Sequence, residues 1–305
     1  MNKKEKNFSG VVVPMVTPIT ANGEVDCSAL EKLMNSFIDA GISVFLLGTT
    51  GESASVPLRH RSFLVKTAME YVKNKIKIFA GISGNCLEES IEQANLYAAM
   101  GVDTVVAHPP FYFPLSPDMM LKYFEKLADG VRCPLFLYNN PMTTNNSIPI
   151  DVAEKLSYHS NIAGIKDSER NLERLNASMS LWHNREDFVH LTGWAAQSAY
   201  TLANGSDGIV PSTANFAPRI YSDLFKLAVK GDTAAAKALQ IKADNLSELY
   251  LAGRNLSQSL PALKIIMSEL GLCQPYVYPP LEITSGDEAL VIREKVRLMF
   301  QDLKQ

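Results

Sequence analysis

The feature that most constrains the fold is a unit that recurs from the N-terminal part of the chain to residue 231. In each unit, a short apolar run rich in β-branched residues is followed by an amphipathic helical stretch. The runs begin about 20 to 34 residues apart, which is the length of a strand–helix unit. Eight runs fit this description: Gly10–Val16, Ser43–Leu47, Lys77–Ala80, Thr104–Ala107, Leu135–Tyr138, Ile162–Lys166, Phe188–Leu191 and Gly208–Pro211.

This repetition predicts an α/β protein built as a (β/α)8 TIM barrel. The runs are almost wholly apolar, which is typical of parallel strands that are buried on both faces. A doubly wound open sheet is the alternative, but eight units in unbroken alternation favour the closed barrel. The 305 residues of the chain suffice for it, since such barrels take about 250 residues.

The alternation stops after Gly231, and only helices are predicted beyond it: Asp232–Leu251, Ser259–Leu270 and Gly286–Leu303. We therefore divide the chain into residues 1–231, a barrel that carries the active site, and residues 232–305, a C-terminal helical region. No low-complexity linker separates them, so we expect the two parts to pack as one body.

Composition excludes several classes of function. A net charge of -3 does not suggest binding to nucleic acid or to an anionic membrane surface. The chain has 5 histidines without metal-ligand spacing, so no metal site is expected. The 4 cysteines are scattered and indicate a reduced, cytoplasmic location. The apolar stretch Val11–Val16 is too short for a signal peptide or a membrane span.

Lys166 is the strongest candidate for a reactive side chain. In a parallel barrel the active site lies at the C-terminal ends of the strands, and Lys166 ends the sixth predicted strand. A lysine in that crowded place loses hydration, which lowers its pKa and favours the neutral amine that attacks a ketone. The alternative is a lysine that ends its strand and extends to solvent.

Two neighbouring strand ends offer partners for Lys166. Tyr138 ends the fifth strand, where a phenol could transfer protons, although a tyrosine that only packs in the core is the alternative. The loop Gly48–Ser53 follows the second strand and supplies hydroxyls and backbone N–H groups that could hold a carboxylate. Its alternative is a plain turn, and Glu52 within it is interpreted as structural.

Taken together, these segments resemble the dihydrodipicolinate synthase / N-acetylneuraminate lyase superfamily over nearly the whole chain. Any one motif is modest, but their occurrence in order is highly specific. The motifs are Gly10–Pro18, Gly23–Asp26, Gly48–Ser53, Tyr138–Pro141, Gly164–Ser168, Gly208–Asn215, Pro261–Lys264 and Pro279–Leu281.

The resemblance implies class I aldolase-type chemistry without a cofactor. Lys166 would form a Schiff base with pyruvate or another 2-oxo acid, and Tyr138 would transfer the protons. Thr49 corresponds to the relay threonine beside Tyr138. Tyr112 corresponds to the tyrosine that reaches across a dimer interface to complete that relay.

The resemblance also implies how the substrate is held and how the chain assembles. Thr50 and Gly48 would bind the carboxylate of the 2-oxo acid, and Val210 would make a backbone contact to it. The family usually forms tetramers as dimers of dimers, so a homotetramer is expected by analogy.

The second substrate is less constrained. Thr143 stands where the synthases usually have an arginine that binds a carboxylate of the second substrate, and Thr49-Thr50 replaces the Ser-Thr pair of sialic acid lyases. We therefore favour a lyase or dehydratase acting on a 2-keto-3-deoxy sugar acid or a related hydroxy-2-oxo acid. Synthesis of 4-hydroxy-tetrahydrodipicolinate from pyruvate and aspartate semialdehyde is the second hypothesis. A non-catalytic regulator that binds 2-oxo acids is the third.

Trp194 is interpreted either as a wall at the site entrance or as a packing residue.

Overall fold

The structure, a computed structural model, describes residues 6–301 of the chain. Eight parallel strands follow one another around a closed barrel, and β8 pairs with β1 to complete it. The strands are β1 (Gly10–Pro14), β2 (Ser43–Leu46), β3 (Ile78–Gly81), β4 (Thr104–Ala107), β5 (Leu135–Asn139), β6 (Ile162–Asp167), β7 (Val189–Thr192) and β8 (Gly208–Ile209). The predicted TIM barrel is confirmed, and the open sheet is wrong because the sheet closes on itself.

Helices connect successive strands and surround the barrel. They are α1 (Cys27–Ala40), α2 (Leu58–Val72), α3 (Leu87–Ala99), α4 (Pro117–Gly130), α5 (Pro141–Thr144), α6 (Ile150–Leu156), α7 (Leu172–Trp182), α8 (Ser198–Ala203) and α9 (Pro218–Val229). Local chemistry sets their ends. For example, the Asp26 side chain accepts a hydrogen bond from the Ala29 N–H at the start of α1, and Gly41 closes that helix with a φ of 65°.

Three further helices follow the barrel: α10 (Thr233–Leu251), α11 (Leu256–Glu269) and α12 (Gly286–Gln301). They pack on the barrel helices and on one another, with α10 against α8 and α9 and α11 against α10 and α12. α11 begins earlier than the sequence predicted, because Asn255 and Gln258 form a reciprocal capping box there.

The proposed division at residue 231 stays a prediction. Residues 1–5 and 302–305, including the predicted helix end at Leu303, lie outside the described residues. Among the helices of residues 6–301, none has the length and apolar content needed to cross a membrane.

The interior of the barrel is a packed aromatic cluster. Phe8, Phe79 and Phe136 meet edge to face, with ring centroids 5.2 to 5.7 Å apart. Phe45 and Tyr138 belong to the same buried cluster and stand next to each other. Side chains therefore fill the barrel interior, and an active site can lie only at an end of the barrel.

The chain turns sharply after β2 because of a glycine on the neighbouring strand. Leu47 has a φ of 56°, in the left-handed region that residues with side chains rarely adopt. Its carbonyl oxygen lies against Gly81, where a Cβ would overlap it. The absence of a side chain at Gly81 thus permits the turn that starts the loop at residues 48–53.

We expect Gly81→Ala to lower the free energy of unfolding by about 1–3 kcal/mol, because the added methyl group meets backbone that cannot move aside. Urea denaturation measures this. Gly84→Ala is a matched control, since its Cβ would lie at an ordinary 3.4 Å from Ser90 Oγ. Equal losses in the two variants would contradict the steric explanation.

Candidate active site

Lys166 is buried at the C-terminal end of β6, directly beside Tyr138 of β5. Only 6% of its surface is exposed, so it does not extend to solvent as an ordinary strand-end lysine would. Its Nζ lies 4.0 Å from the centroid of the Tyr138 ring and 4.8 Å from that of Phe45. The amine is therefore enclosed between two aromatic side chains at the mouth of the barrel.

This environment changes the ionisation of both groups. Burial lowers the pKa of Lys166 below its usual value, and the neighbouring Tyr138 only partly opposes this. Burial alone would raise the pKa of Tyr138, but the Lys166 charge and hydrogen bonds with Thr49, Lys166 and Ser168 leave that pKa below its usual value. The lowered pKa of Lys166 favours its neutral, nucleophilic form, and the lowered pKa of Tyr138 makes its phenol a stronger acid.

Hydrogen bonds fix the Tyr138 hydroxyl. Thr49 Oγ1 lies 3.0 Å from it, and Asn140 Nδ2 donates to it at 3.1 Å. Thr49 and Tyr138, predicted from separate strand ends, are thus brought together. Asn140 was not predicted as a site residue from the sequence, although its position directly after β5 is a signal for one.

Gly48 and Thr50 flank Thr49 on the loop after β2. A Cβ at Gly48 would lie 2.7 Å from the Phe45 ring, so only glycine lets the loop approach the rings beside Lys166. Thr50 is half-buried on this loop. The loop therefore reaches the mouth of the barrel beside Tyr138.

The other two predicted residues lie in different settings. Val210 follows β8, is buried in the interior cluster with Phe45 and Tyr138, and donates its N–H to Thr192 O at 2.8 Å. Tyr112 lies outside the hydrogen-bonded group: it is 75% exposed, and its ring rests against Phe113 with centroids 4.9 Å apart.

His108 is a site residue that the sequence analysis missed. It follows β4 directly, and its ring centroid lies 6.2 Å from that of Tyr138. Burial lowers its pKa, and the Lys166 charge acts in the same direction. His108 Nδ1 lies 2.7 Å from the Pro109 carbonyl oxygen, so a neutral ring carries its proton on Nδ1 and keeps Nε2 as an acceptor.

A buried ionic network holds the end of β6 behind Lys166. Arg174 Nε pairs with Asp167 Oδ2 at 2.7 Å, and both side chains are buried. Asn139 Nδ2 donates to Asp167 Oδ1 at 3.1 Å, and the Gly193 N–H donates to the Asp167 carbonyl at 2.6 Å. Because Asp167 adjoins Lys166 in the strand, these contacts fix the backbone that carries the amine.

A second buried ion pair joins the loop after β2 to the C-terminal helices. Lys264 Nζ lies 2.6 Å from Glu52 Oε1, and each side chain is 1% exposed. Glu52 also accepts the Tyr278 N–H at 2.7 Å, and Lys264 donates to the carbonyls of Thr17 and Tyr276. Glu52 thus has the structural setting expected of it, and Lys264 is a partner that sequence analysis did not identify.

A pocket of about 320 Å³ opens beside Thr49 and His108. Thr143 lines it from α5, and Leu256 and Leu260 line it from α11. Trp194 is half-buried after β7 and does not line this pocket, so its interpretation as an entrance wall or a packing residue stays a prediction. Within residues 6–301, no group of three or more His, Cys, Asp or Glu side chains could hold a metal ion.

The profile of the dihydrodipicolinate synthetase family matches residues 7–297. The chain therefore belongs to this family and is an enzyme of the aldolase-type lyase class, as its motifs indicated. The 4-hydroxy-tetrahydrodipicolinate synthase of Pseudomonas aeruginosa is 31% identical over 275 residues, which is 90% of this chain and 92% of that protein.

Two further relatives are a protein named as an aldolase and a synthase of known structure. YagE of Escherichia coli, provisionally named a 2-dehydro-3-deoxy-D-gluconate aldolase, is 28% identical over 280 residues, 90% of this chain and 91% of YagE. The crystal structure of YagE with pyruvate superposes with a TM-score of 0.88 at 26% identity, covering 96% of this chain and 99% of that one. The dihydrodipicolinate synthase of Bacteroides thetaiotaomicron superposes with a TM-score of 0.90 at 30% identity, covering 98% and 100%.

We expect Lys264→Met to lower the free energy of unfolding by about 3–5 kcal/mol, because it leaves the Glu52 carboxylate buried without its cation. Adding Glu52→Gln should restore part of the loss, since a neutral amide can still accept the Tyr278 N–H. Denaturant unfolding measures both variants.

A matched control is Lys155→Met, which removes an exposed pair with Asp151 at 3.7 Å. It should change stability by no more than about 0.5 kcal/mol. If Lys264→Met unfolded like this control, the buried pair would not be what joins the loop to α11.

Proposed function

We propose that this enzyme forms a Schiff base between Lys166 and pyruvate or another 2-oxo acid. The observation that carries the proposal is the buried amine of Lys166, with its lowered pKa, 4.0 Å from the ring centroid of Tyr138. A neutral amine is the nucleophile that this chemistry needs, and a phenol held by Thr49 is a suitable proton donor.

In the first step, Lys166 Nζ attacks the C2 carbonyl carbon, and a carbinolamine forms. The Tyr138 hydroxyl supplies the one net proton that lets the carbinolamine oxygen leave as water. The products are an iminium ion on Lys166 and a Tyr138 phenolate beside it. Thr49 and Asn140, which hydrogen-bond to that oxygen, stabilise the phenolate.

The iminium nitrogen then acts as the electron sink. For cleavage, the phenolate takes the proton of the C4 hydroxyl, the C3–C4 bond breaks, and its electrons form an enamine while an aldehyde leaves. For dehydration, the phenolate takes a C3 proton to form the enamine. The Tyr138 hydroxyl then gives that proton to the C4 hydroxyl, which leaves as water while a conjugated iminium forms. After cleavage, the Tyr138 hydroxyl instead protonates the enamine to an iminium. In both cases water hydrolyses the iminium, the remaining proton returns to the phenolate, and Lys166 is regenerated. Because the lysine accepts the electrons, the reaction requires no metal or organic cofactor.

The carboxylate of the 2-oxo acid is assigned to the loop after β2. Thr50 and Gly48 stand on either side of Thr49, so the hydroxyl and backbone N–H groups of this segment can converge on an anion. Val210 uses its N–H within the barrel, so its contact to substrate would be made by the carbonyl oxygen.

We also propose a cytoplasmic homotetramer in which Tyr112 acts in a partner's site. Tyr112 is 75% exposed beside Phe113, which is itself 67% exposed, and burial of such aromatic rings is typical of subunit contacts. A tyrosine delivered across an interface would extend the hydrogen-bond relay from Tyr138 through Thr49.

The substrate class that we favour is a 2-keto-3-deoxy sugar acid or a related hydroxy-2-oxo acid. The name of YagE refers to a substrate of this class. Thr143 lines the pocket beside Thr49, so this position offers a hydroxyl and not the guanidinium of the synthases. The synthase relatives, such as that of Pseudomonas aeruginosa, keep condensation of pyruvate with aspartate semialdehyde as the second candidate.

We expect pyruvate plus borohydride to add a reduced pyruvyl group to Lys166, detected by peptide mass spectrometry. Lys166→Ala should abolish the adduct. The control Lys264→Arg removes the amine of another buried lysine but keeps its positive charge, and it should leave the adduct intact. An adduct that persists in Lys166→Ala would refute the assignment, and no adduct in the wild-type enzyme would favour the non-catalytic regulator.

Tyr138→Phe should slow turnover by about 10²–10³, close to the usual loss when a proton-transfer group is removed. The ring contact with Lys166 is kept in this variant, so the loss reports on the hydroxyl alone. Steady-state kinetics and circular dichroism together test it. An unchanged turnover number in a folded variant would mean that Tyr138 only packs against the amine.

A further inference from the structure

The pocket beside Thr49 has two chemically different sides. The strand-end loops contribute hydroxyls from Thr49, Ser53, Ser55 and Thr143. The opposite side comes mainly from the C-terminal segment and is largely apolar. Its lining residues are Leu256, Leu260, Pro280 and Leu281, with Ser257 as its one hydroxyl. Phe111, from the loop after β4, adds an aromatic ring.

The charges of the pocket are already accounted for. Among its lining residues there is no lysine or arginine, and Glu52 is the one carboxylate. Lys264 pairs with Glu52 at 2.6 Å, so its charge is already neutralised. No lysine or arginine lines the pocket, so no cation is left there for a ligand. His108 is the remaining ionisable lining group, and its pKa is lowered by burial, which keeps it neutral. A carboxylate placed here would lose hydration without gaining a cationic partner.

The apolar side is held in place by one face of α11. Leu256, Leu260 and Lys264 follow one another at intervals of four residues, so they share a face of the helix. Lys264 anchors that face to Glu52 on the loop that carries Thr49. The leucines are thereby fixed against the site and not left on a loose surface.

The pocket also continues from the reacting centre. Thr49 hydrogen-bonds to Tyr138 at 3.0 Å and lines the pocket, and the His108 ring stands 6.2 Å from Tyr138 by centroids. A 2-oxo acid bound to Lys166 would therefore direct the carbons beyond C3 into it. Its volume of about 320 Å³ is at the small end of ligand pockets, which run from about 300 to 1,000 Å³.

We propose that the substrate of this enzyme is a 4-hydroxy-2-oxo acid with an uncharged, apolar tail. The C4 hydroxyl lies against the hydroxyl side of the pocket, and the tail lies against the leucines of α11. This inference rests on the proposed Schiff-base function. Of the two substrate classes named there, it selects the related hydroxy-2-oxo acids over the sugar acids and specifies an apolar aldehyde as the second substrate. In the condensing direction the enamine carbon of pyruvate bonds to the aldehyde carbon, the aldehyde oxygen takes a proton to become the C4 hydroxyl, and water hydrolyses the iminium.

The test compares two aldehydes of nearly equal shape, each condensed with pyruvate. In 4-methylpentanal an isopropyl group stands where succinic semialdehyde has its carboxylate. We expect kcat/KM for 4-methylpentanal to exceed that for succinic semialdehyde by about tenfold or more, since tenfold corresponds to about 1.4 kcal/mol. Glyceraldehyde, which is uncharged but lacks an apolar tail, should also be used less well than 4-methylpentanal.

Leu256→Arg should move this preference towards succinic semialdehyde by about tenfold, because it adds a cation to the apolar side. Leu251→Arg is a matched control: both leucines are 36% exposed and lie near each other in the chain, but Leu251 does not line the pocket. The control should keep the wild-type preference, and circular dichroism confirms that both variants fold.

The outcomes separate this inference from the function on which it rests. Preference of the wild-type enzyme for succinic semialdehyde or glyceraldehyde, with the pyruvate adduct still formed on Lys166, would overturn the apolar-tail proposal alone. So would equal shifts in Leu256→Arg and Leu251→Arg. Absence of the adduct would overturn both proposals.

Discussion

The interaction on which the site depends is the burial of the Lys166 amine between the rings of Phe45 and Tyr138. Burial removes water from the ammonium form and lowers its pKa. Burial alone would raise the pKa of Tyr138, but the charge of protonated Lys166 and hydrogen bonds with Thr49, Lys166 and Ser168 leave that pKa below its usual value. The contact between Tyr138 and Lys166 exists because parallel strands β5 and β6 place these two residues in register at the same end of the barrel.

Residues that surround Lys166 and Tyr138 support this contact. Gly81 permits the left-handed turn at Leu47, and Gly48 lets the following loop approach the Phe45 ring. Asp167, paired with Arg174, holds the end of the strand that carries the amine. These residues touch no reacting atom, yet each determines where a reacting side chain stands.

The C-terminal helices contribute to the pocket wall as well as to packing. The buried pair between Glu52 and Lys264 joins the loop of Thr49 to α11, and the same face of α11 presents Leu256 and Leu260 to the pocket. Chemistry and selectivity are thus divided by origin in the chain. In the proposed function, the strand ends hold the amine and its proton donors, and the helices beyond the barrel shape the space proposed for the rest of the substrate.

The sequence by itself determined the number and order of the strands and the position of Lys166, because apolar runs and their spacing are local properties of the chain. It also indicated Tyr138 and Thr49, since Tyr138 ends one predicted strand, Thr49 lies on the loop after another, and both strand ends face the same mouth. Only the tertiary structure decided that Lys264 pairs with Glu52, that His108 stands near Tyr138, and that leucines of α11 wall the pocket. These contacts join residues far apart in the chain, and no local pattern encodes them. Closure of the barrel and packing of the last helices upon it bring such residues together.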